Sequence, residues 1–309
     1  MTQRIALARA ARVLGGLAAA GAGVLAYGAG YEVRAFTLRR VLVPVLPAGQ
    51  RPLRVLHLSD LHMTPGQQRK RDWVRSLAAL EPDLVVNTGD NMAHLDSVPG
   101  LLDAMDPLLD RPGIFVFGSN DYWSPRLGNP AKYLVQRQSR VLPRVPDLPS
   151  AQLRDALVER GWEYLGNART RVKLDGRVLD LVGVDDPHVN RDRYPAVAGP
   201  ADPAADLSMG VLHAPYRRVL DAMAADGHQL IIAGHTHGGQ LQVPSFGALV
   251  TNCDLDRRSA RGLTRYPDWR LPGSPWLHVS AGLGTSPYAP VRLCCRPEAT
   301  LLTLTAVEP

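Results

Sequence analysis

Leu53-Arg54-Val55-Leu56-His57-Leu58-Ser59-Asp60-Leu61-His62 is the stretch from which the rest of the chain can be placed. Its first six residues have the length and apolar character of a buried β-strand, and Asp60 and His62 emerge where the run stops. Groups at the carboxyl end of a strand point into the crevice where α/β proteins bind ligands. Asp60 and His62 are also two metal-ligand types two residues apart. The tripeptide alone fits an ordinary polar loop equally well, so its meaning depends on whether Asp, His and Asn recur at other strand ends.

They recur four times. The apolar run 83–87 leads into Thr88-Gly89-Asp90, and the run 113–117 leads into Gly118-Ser119-Asn120-Asp121. Helical patterns over 69–80 and 97–109 separate these strands, which predicts a βαβ sheet with one shared crevice. Later, residues 209–212 end at His213, and residues 230–233 end in Gly234-His235-Thr236-His237-Gly238-Gly239-Gln240. Each cluster taken singly has a dull explanation, a core His satisfied by a carbonyl or an Asp capping a helix. Jointly they supply what two metals a few ångströms apart require, about seven ligands with one carboxylate shared.

The composition agrees with an ordinary folded chain and excludes several other classes. Of 309 residues 45% are hydrophobic and 21% charged, as in an ordinary globular chain. The formal charge of +6 allows an anionic partner. The basic residues are almost all Arg and are scattered, with no aromatic-interleaved basic stripe, so no nucleic-acid partner is expected. Cys253, Cys294 and Cys295 imply no disulfide framework and lack the spacing of a zinc ribbon, so a metal site should use nitrogen and oxygen ligands.

Residues 1–12 carry Arg4, Arg9 and Arg12, and residues 13–31 carry no charge. That is the pattern of a transmembrane signal anchor or a cleaved signal peptide, with a soluble Ala-rich start as a third option. Arg34, Arg39 and Arg40 on the far side balance the near-side arginines, so charge does not fix orientation. An anchor with the catalytic part outside the cytoplasm is the working expectation. Pro44, Pro47, Gly49 and Pro52 make residues 32–52 read as a linker, which leaves 53–309 as the catalytic domain. Within it, residues 122–149 are rich in Pro and Arg, follow a candidate site cluster, and read as a wall of the substrate pocket.

Leu-Ser-Asp-Leu-His and Gly-His-Thr-His-Gly-Gly-Gln, with the clusters between them, resemble the calcineurin-like metallophosphoesterase family and most of all its membrane-associated bacterial branch. That family's pattern is Asp-x-His, Gly-Asp, Gly-Asn-His-Asp or Glu, a lone His, then Gly-His-x-His. The resemblance implies a four-layer α/β/β/α sandwich with two mixed sheets and a dinuclear metal site at the strand carboxyl ends. It implies that Asp60, His62, Asp90 and His237 hold one ion and that Asp90, His213, His235 and a residue of the third cluster hold the other. Mn, Fe or Zn suits such ligands. The implied activity is hydrolysis of a phosphoric ester or pyrophosphate by a metal-bridging hydroxide, on a phosphorylated small molecule or a lipid-linked or nucleotide-linked substrate. UDP-diacylglucosamine pyrophosphohydrolases lie near this branch.

The third cluster departs from the family. An ungapped alignment turns the metal-binding Asn into Ser119 and the catalytic His into Asn120, and an amide cannot deliver a proton as an imidazolium does. A one-residue shift would instead keep Asn120 as the ligand and set Asp121 in the place of the His. Asn120 and Asp121 are therefore the catalytic candidates, Ser119 or Asn120 the ligand, and His188 a substitute acid or substrate contact. The departure also keeps a second function in view, a membrane-tethered, metal-bound binding module with weak or no catalysis.

Overall fold

A computed structural model describes residues 2–128 and 144–307. Residues 129–143, the middle of the segment expected to wall the substrate pocket, lie outside the described residues. In chain order the strands are β1 (Thr37–Leu46), β2 (Leu53–Leu58), β3 (Leu84–Asn87), β4 (Gly113–Phe115), β5 (Glu163–Tyr164), β6 (Ala168–Leu174) and β7 (Arg177–Gly183). They continue with β8 (Leu207–Val211), β9 (Leu230–Ala233), the short β10 (Gln242–Val243) and β11 (Gly247–Ala248), β12 (Gly262–Arg265), β13 (Trp276–Val279) and β14 (Glu298–Ala306). The helices used below are α1 (Thr2–Gly30), α2 (Gln68–Ser76), α3 (Ser97–Met105), the single turn α4 (Ser119–Tyr122), α5 (Ser150–Glu159) and α6 (Arg217–Ala225).

Two mixed sheets form, in the orders β1-β14-β2-β3-β4-β5 and β12-β13-β9-β8-β7-β6. Strands β2 to β5 run parallel, as do β7, β8, β9 and β13, so their carboxyl ends share one side of each sheet. The period-2 alternation of side chains explains the unbroken apolar runs. Leu53 and Val55 of β2 face inward to meet Leu181, Met209 and Ile232 of the other sheet, while Leu56 and Leu58 face outward. The outward set packs on Val74, Leu101, Met105, Leu153 and Leu157 from α2, α3 and α5. On the far side Ile231, Leu277 and Val279 pack on Val219, Leu220 and Met223 of α6. The result is the four-layer α/β/β/α sandwich.

One boundary differs from expectation. The stretch 32–52, expected as a linker, contains β1, which pairs in parallel with β14 from Thr37↔Glu298 to Leu46↔Ala306. Pro44 and Pro47 read as loop signals, yet a sheet edge tolerates Pro because the missing N–H faces no partner strand. Val43 and Leu46 are wholly buried between the sheets.

The stretch Arg12–Arg34 contains a helix long and apolar enough to cross a membrane, and only 6% of its apolar window is buried. Its foot is tied to the domain: the Arg292 N–H donates to the Gly28 carbonyl at 3.3 Å, and the Cys295 N–H donates to the Glu32 carboxylate at 2.6 Å.

Because β1 belongs to the core, Leu46→Ala should cost about 2–5 kcal/mol of stability, the range for truncating a fully buried Leu. Urea unfolding of the variant checks this, and a midpoint equal to that of the parent chain would show that β1 is peripheral.

Candidate metal centre

The crevice lies where the carboxyl ends of the two sheets meet. Asp60 and His62 follow β2, Asp90 follows β3, the 118–121 cluster follows β4, His213 follows β8, and His235 and His237 follow β9. Five of these residues have left-handed backbone: Asp60 (φ 50), His62 (φ 41), Asp90 (φ 54), His235 (φ 69) and His237 (φ 50). Each such residue costs about 1–3 kcal/mol. Together that rivals the whole stability of a domain, about 5–15 kcal/mol, so the surrounding layers must over-determine these turns. Strain of this kind, concentrated where the polar side chains converge, marks a functional site.

Asp60, His62 and His237 bring ligand atoms within 4.8 Å of one another, and so do Asp60, Asp90 and His213. His62 Nε2 lies 3.2 Å from His237 Nε2 and 3.6 Å from Asp90 Oδ2. His213 Nε2 lies 3.4 Å from the same Asp90 oxygen, and His237 Nε2 lies 3.5 Å from Asp60 Oδ1. The opposite ring nitrogens are occupied: His213 Nδ1 meets the Thr88 carbonyl at 2.6 Å, and His237 Nδ1 meets the Gly284 carbonyl at 3.1 Å. Carbonyl contacts of this sort fix the tautomer and leave Nε2 as the lone pair aimed at the crevice. His235 is held the other way round, its Nε2 meeting the Asn252 carbonyl at 3.1 Å, which leaves Nδ1.

Two observations show that the set suits cations. Asp60 Oδ1 and His213 Nε2 are buried with no hydrogen-bond partner, a costly arrangement for polar atoms unless something else binds them. Asp60 is also short of positive charge. Burial, with Asp90 adding to it, raises Asp60 to about 6 against the pull of His213. Burial alone would raise Asp90 as well, but His213, His62 and Asn120 outweigh it and hold it well below the usual carboxylate range. Burial also keeps the imidazoles of His62 (down to about 4) and His237 neutral, the form that ligates a metal. Gly118 permits the close approach of the two sheets' loops, since a Cβ there would overlap Asp90 Oδ1 and His213.

The third cluster separates into distinct placements. Asn120 faces the crevice: its backbone N–H donates to Asp90 Oδ1 at 2.7 Å and its side-chain amide donates to Asp90 Oδ2 at 2.8 Å. Asp121, expected as a catalytic candidate, is turned under the loop instead. It is fully buried, and its two oxygens accept the N–H groups of Asp90, Asn91 and Gly118 at 2.8–2.9 Å. A carboxylate so engaged fixes the Asp90 turn and has no face toward substrate. Ser119 is half-buried at the start of the same turn. His188 sits at the edge of the site, with its ring centroid 4.4 Å from that of His235 and Nδ1 3.0 Å from the Tyr216 hydroxyl.

Sequence reasoning passed over two contributors. Asp186, just beyond β7, is fully buried with Oδ2 unpartnered, and burial pushes it up to about 7 although His213 pulls it down. The rule that found the other clusters, a polar run at a strand end, applied equally to Asp185-Asp186. Arg292 had no such signal. Its guanidinium is completely buried and donates to the carbonyls of Ala281 and Gly284 at 2.7 Å, which fixes the loop behind His237.

Residues 53–239 match the calcineurin-like phosphoesterase family. Over 258 residues the chain is 27% identical to phosphodiesterase YaeI of Escherichia coli, with 82% of each chain covered. Over 260 residues it is 27% identical to YkoQ, an uncharacterized metallophosphoesterase of Bacillus subtilis, covering 82% of this chain and 84% of that one. A transmembrane protein with metallophosphoesterase domain from Danio rerio is 25% identical over 284 residues, covering 85% of this chain and 56% of that one. The fold, the strand-end site and this match agree: the chain belongs to the calcineurin-like phosphoesterase family. It is a hydrolase of phosphoric esters, and its family uses divalent metals.

Behind Asp60 runs a buried hydroxyl chain, Thr88 Oγ1 to Ser59 Oγ at 2.7 Å and Ser59 Oγ to Asp60 Oδ2 at 2.5 Å. Ser59→Ala removes the orienting bond and should lower metal affinity about 10–100-fold while the chain stays folded. Metal titration followed by elemental analysis measures this, and unchanged affinity would show that the hydroxyl does not position Asp60.

Proposed function

We propose that the chain is a membrane-anchored, dinuclear-metal phosphodiesterase or pyrophosphatase whose Asp90 carboxylate is shared by two ions of Mn, Fe or Zn. In this reading Asp60, His62, Asp90 and His237 hold the first ion, and Asp90, His213, His235 and Asn120 hold the second. The observation that carries it is the placing of Asp90 Oδ2 between His62 Nε2 and His213 Nε2, at 3.6 and 3.4 Å. Asp60 lies near both groups as well, with Oδ2 accepting the Ser59 hydroxyl and the His235 N–H and Oδ1 unpartnered. Asp90 is preferred as the shared carboxylate because a single one of its oxygens faces a histidine from each sheet. Asn120 is preferred to Ser119 as the ligand of the second ion because its amide, at 2.8 Å, already reaches Asp90.

Two such ions, when bound, lower the pKa of water towards neutrality and neutralise charge on a phosphoryl group. The protein's own contribution is to hold the ligand lone pairs in place, through the Thr88, Gly284 and Asn252 carbonyls, and to fix the Asp90 turn through Asp121. The third cluster, Gly118-Ser119-Asn120-Asp121, lacks the His that the family pattern uses as its acid. Acid catalysis is worth about 10²–10⁴ in rate, so its loss penalises poor leaving groups most. The enzyme should therefore favour pyrophosphates, nucleotide-linked substrates or aryl esters over simple alkyl phosphates. His188, whose ring lies tilted against that of His235, is the residue we assign to contact such a substrate.

The anchor reading rests on the apolar helix within Arg12–Arg34 and on relatives named as transmembrane proteins. A substrate carried by a lipid, with the domain outside the cytoplasm, suits a site tethered so close to a bilayer.

Purified protein with added Mn should hydrolyse a bis-aryl phosphate, and Asp90→Asn should lose nearly all of that activity. Chelation should abolish it and Mn should restore it. No activity in either protein would favour the binding module, and full activity in Asp90→Asn would remove Asp90 from its shared role. The leaving-group preference has its own check: equal turnover of glycerol phosphate and a nucleotide diphosphate sugar would contradict it.

A further inference from the structure

At the foot of α1, away from the metal centre, lies a pocket of about 530 Å³. Three arginines line it, Arg34 from the end of the apolar stretch, Arg69 from α2, and Arg296 from the segment before β14. Tyr31, Phe36 and Trp73 supply its aromatic part, with the Phe36 and Trp73 rings 5.5 Å apart. Among the described residues Arg69 and Arg296 have no hydrogen-bond or ion-pair partner, and all three arginines are exposed. Arg34 is steadied by a 2.8 Å bond from Nη1 to the Gly30 carbonyl. The one carboxylate in the lining, Asp72, accepts the Gln68 amide at 2.6 Å, and against three arginines it leaves the pocket an excess of positive charge.

We infer that this pocket binds the headgroup of an anionic phospholipid. The inference rests on the anchor reading above, because the depth of the pocket relative to a bilayer is set by α1. Arg34 ends the apolar stretch, and Tyr27 and Tyr31, with ring centroids 5.4 Å apart, stand exposed on its last turns. Aromatic rings and basic side chains at the end of a span sit at the level of the headgroups. The arginines are thus presented where phosphodiesters are dense, and each basic group near an anionic surface strengthens binding. Trp73 and Phe36 offer apolar area for the glycerol and first acyl carbons.

One lining residue adjoins the segment that contacts the loop of His237. Arg296 follows Cys295, whose N–H is held by Glu32 and whose Sγ lies 3.3 Å from the His237 carbonyl.

The test uses the full chain in neutral detergent and reads tryptophan fluorescence, with Trp73→Phe to assign the signal. Dihexanoylphosphatidylglycerol should give a saturable change that is lost in Trp73→Phe, while dihexanoylphosphatidylcholine and inorganic phosphate should not. Arg34→Gln and Arg296→Gln should each weaken the response about fivefold, with bis-aryl phosphate hydrolysis in detergent unchanged as proof of folding. An equal response to phosphatidylcholine, a response to phosphate alone, or indifference to both substitutions would overturn the inference. Flotation with phosphatidylcholine vesicles tests the anchor separately. Flotation without a phosphatidylglycerol response defeats the pocket and leaves the anchor, whereas the response without flotation supports the pocket and defeats the anchor.

Discussion

The arrangement depends on how one carboxylate is held. Asp90 has left-handed backbone, its side chain faces a histidine from each sheet, and its position is dictated from below by Asp121. A buried, ionised carboxylate is costly unless it is paired. Here His213 pairs with Asp90 and is itself held, against burial, well above the usual imidazole range by the surrounding carboxylates, while burial discharges His62. Divalent cations resolve that conflict by supplying charge without needing a proton. The same reasoning accounts for Asp60 and Asp186, which burial pushes towards protonation so long as only side chains surround them.

The sandwich makes the convergence affordable. Two sheets pack face to face through Leu53, Val55, Val86 and Ile114 on one side and Leu181, Met209 and Ile232 on the other. Their parallel strands then end at one common edge. Short turns leave that edge under backbone strain, and the buried layers beneath keep them from relaxing. Arg292 extends the scheme, holding the Ala281 and Gly284 carbonyls and so the loop on which His237 leans.

Much of this was legible in the sequence, for an identifiable reason. Strands covered on both faces are unbroken apolar runs, so their ends are sharp, and Asp60, His62, Asp90, His213, His235 and His237 each stand just beyond one. The same runs implied an α/β sheet with one crevice, while the four-layer, two-sheet arrangement came from the family resemblance. The N-terminal strand was not legible, because Pro44 signals a loop in any local reading and only the edge position of β1 makes it tolerable. The roles of Asn120 and Asp121 were equally hidden. Both are short polar residues of one turn, and only the three-dimensional path shows one amide reaching Asp90 while the neighbouring carboxylate caps the turn from beneath. Arg292 lay in a segment with no period or motif, and its burial comes from contacts with the loop at Gly284, eight residues away, and with Gly28, which is distant in sequence.

The central claim is that two ions share Asp90, and electron paramagnetic resonance of the Mn-loaded protein tests it directly. Two Mn ions bridged by one carboxylate should give the spectrum of an exchange-coupled pair, and Asp90→Asn should leave only isolated ions or a single occupied site. A spectrum of uncoupled Mn in the parent protein, or coupling that survives Asp90→Asn, would contradict the account.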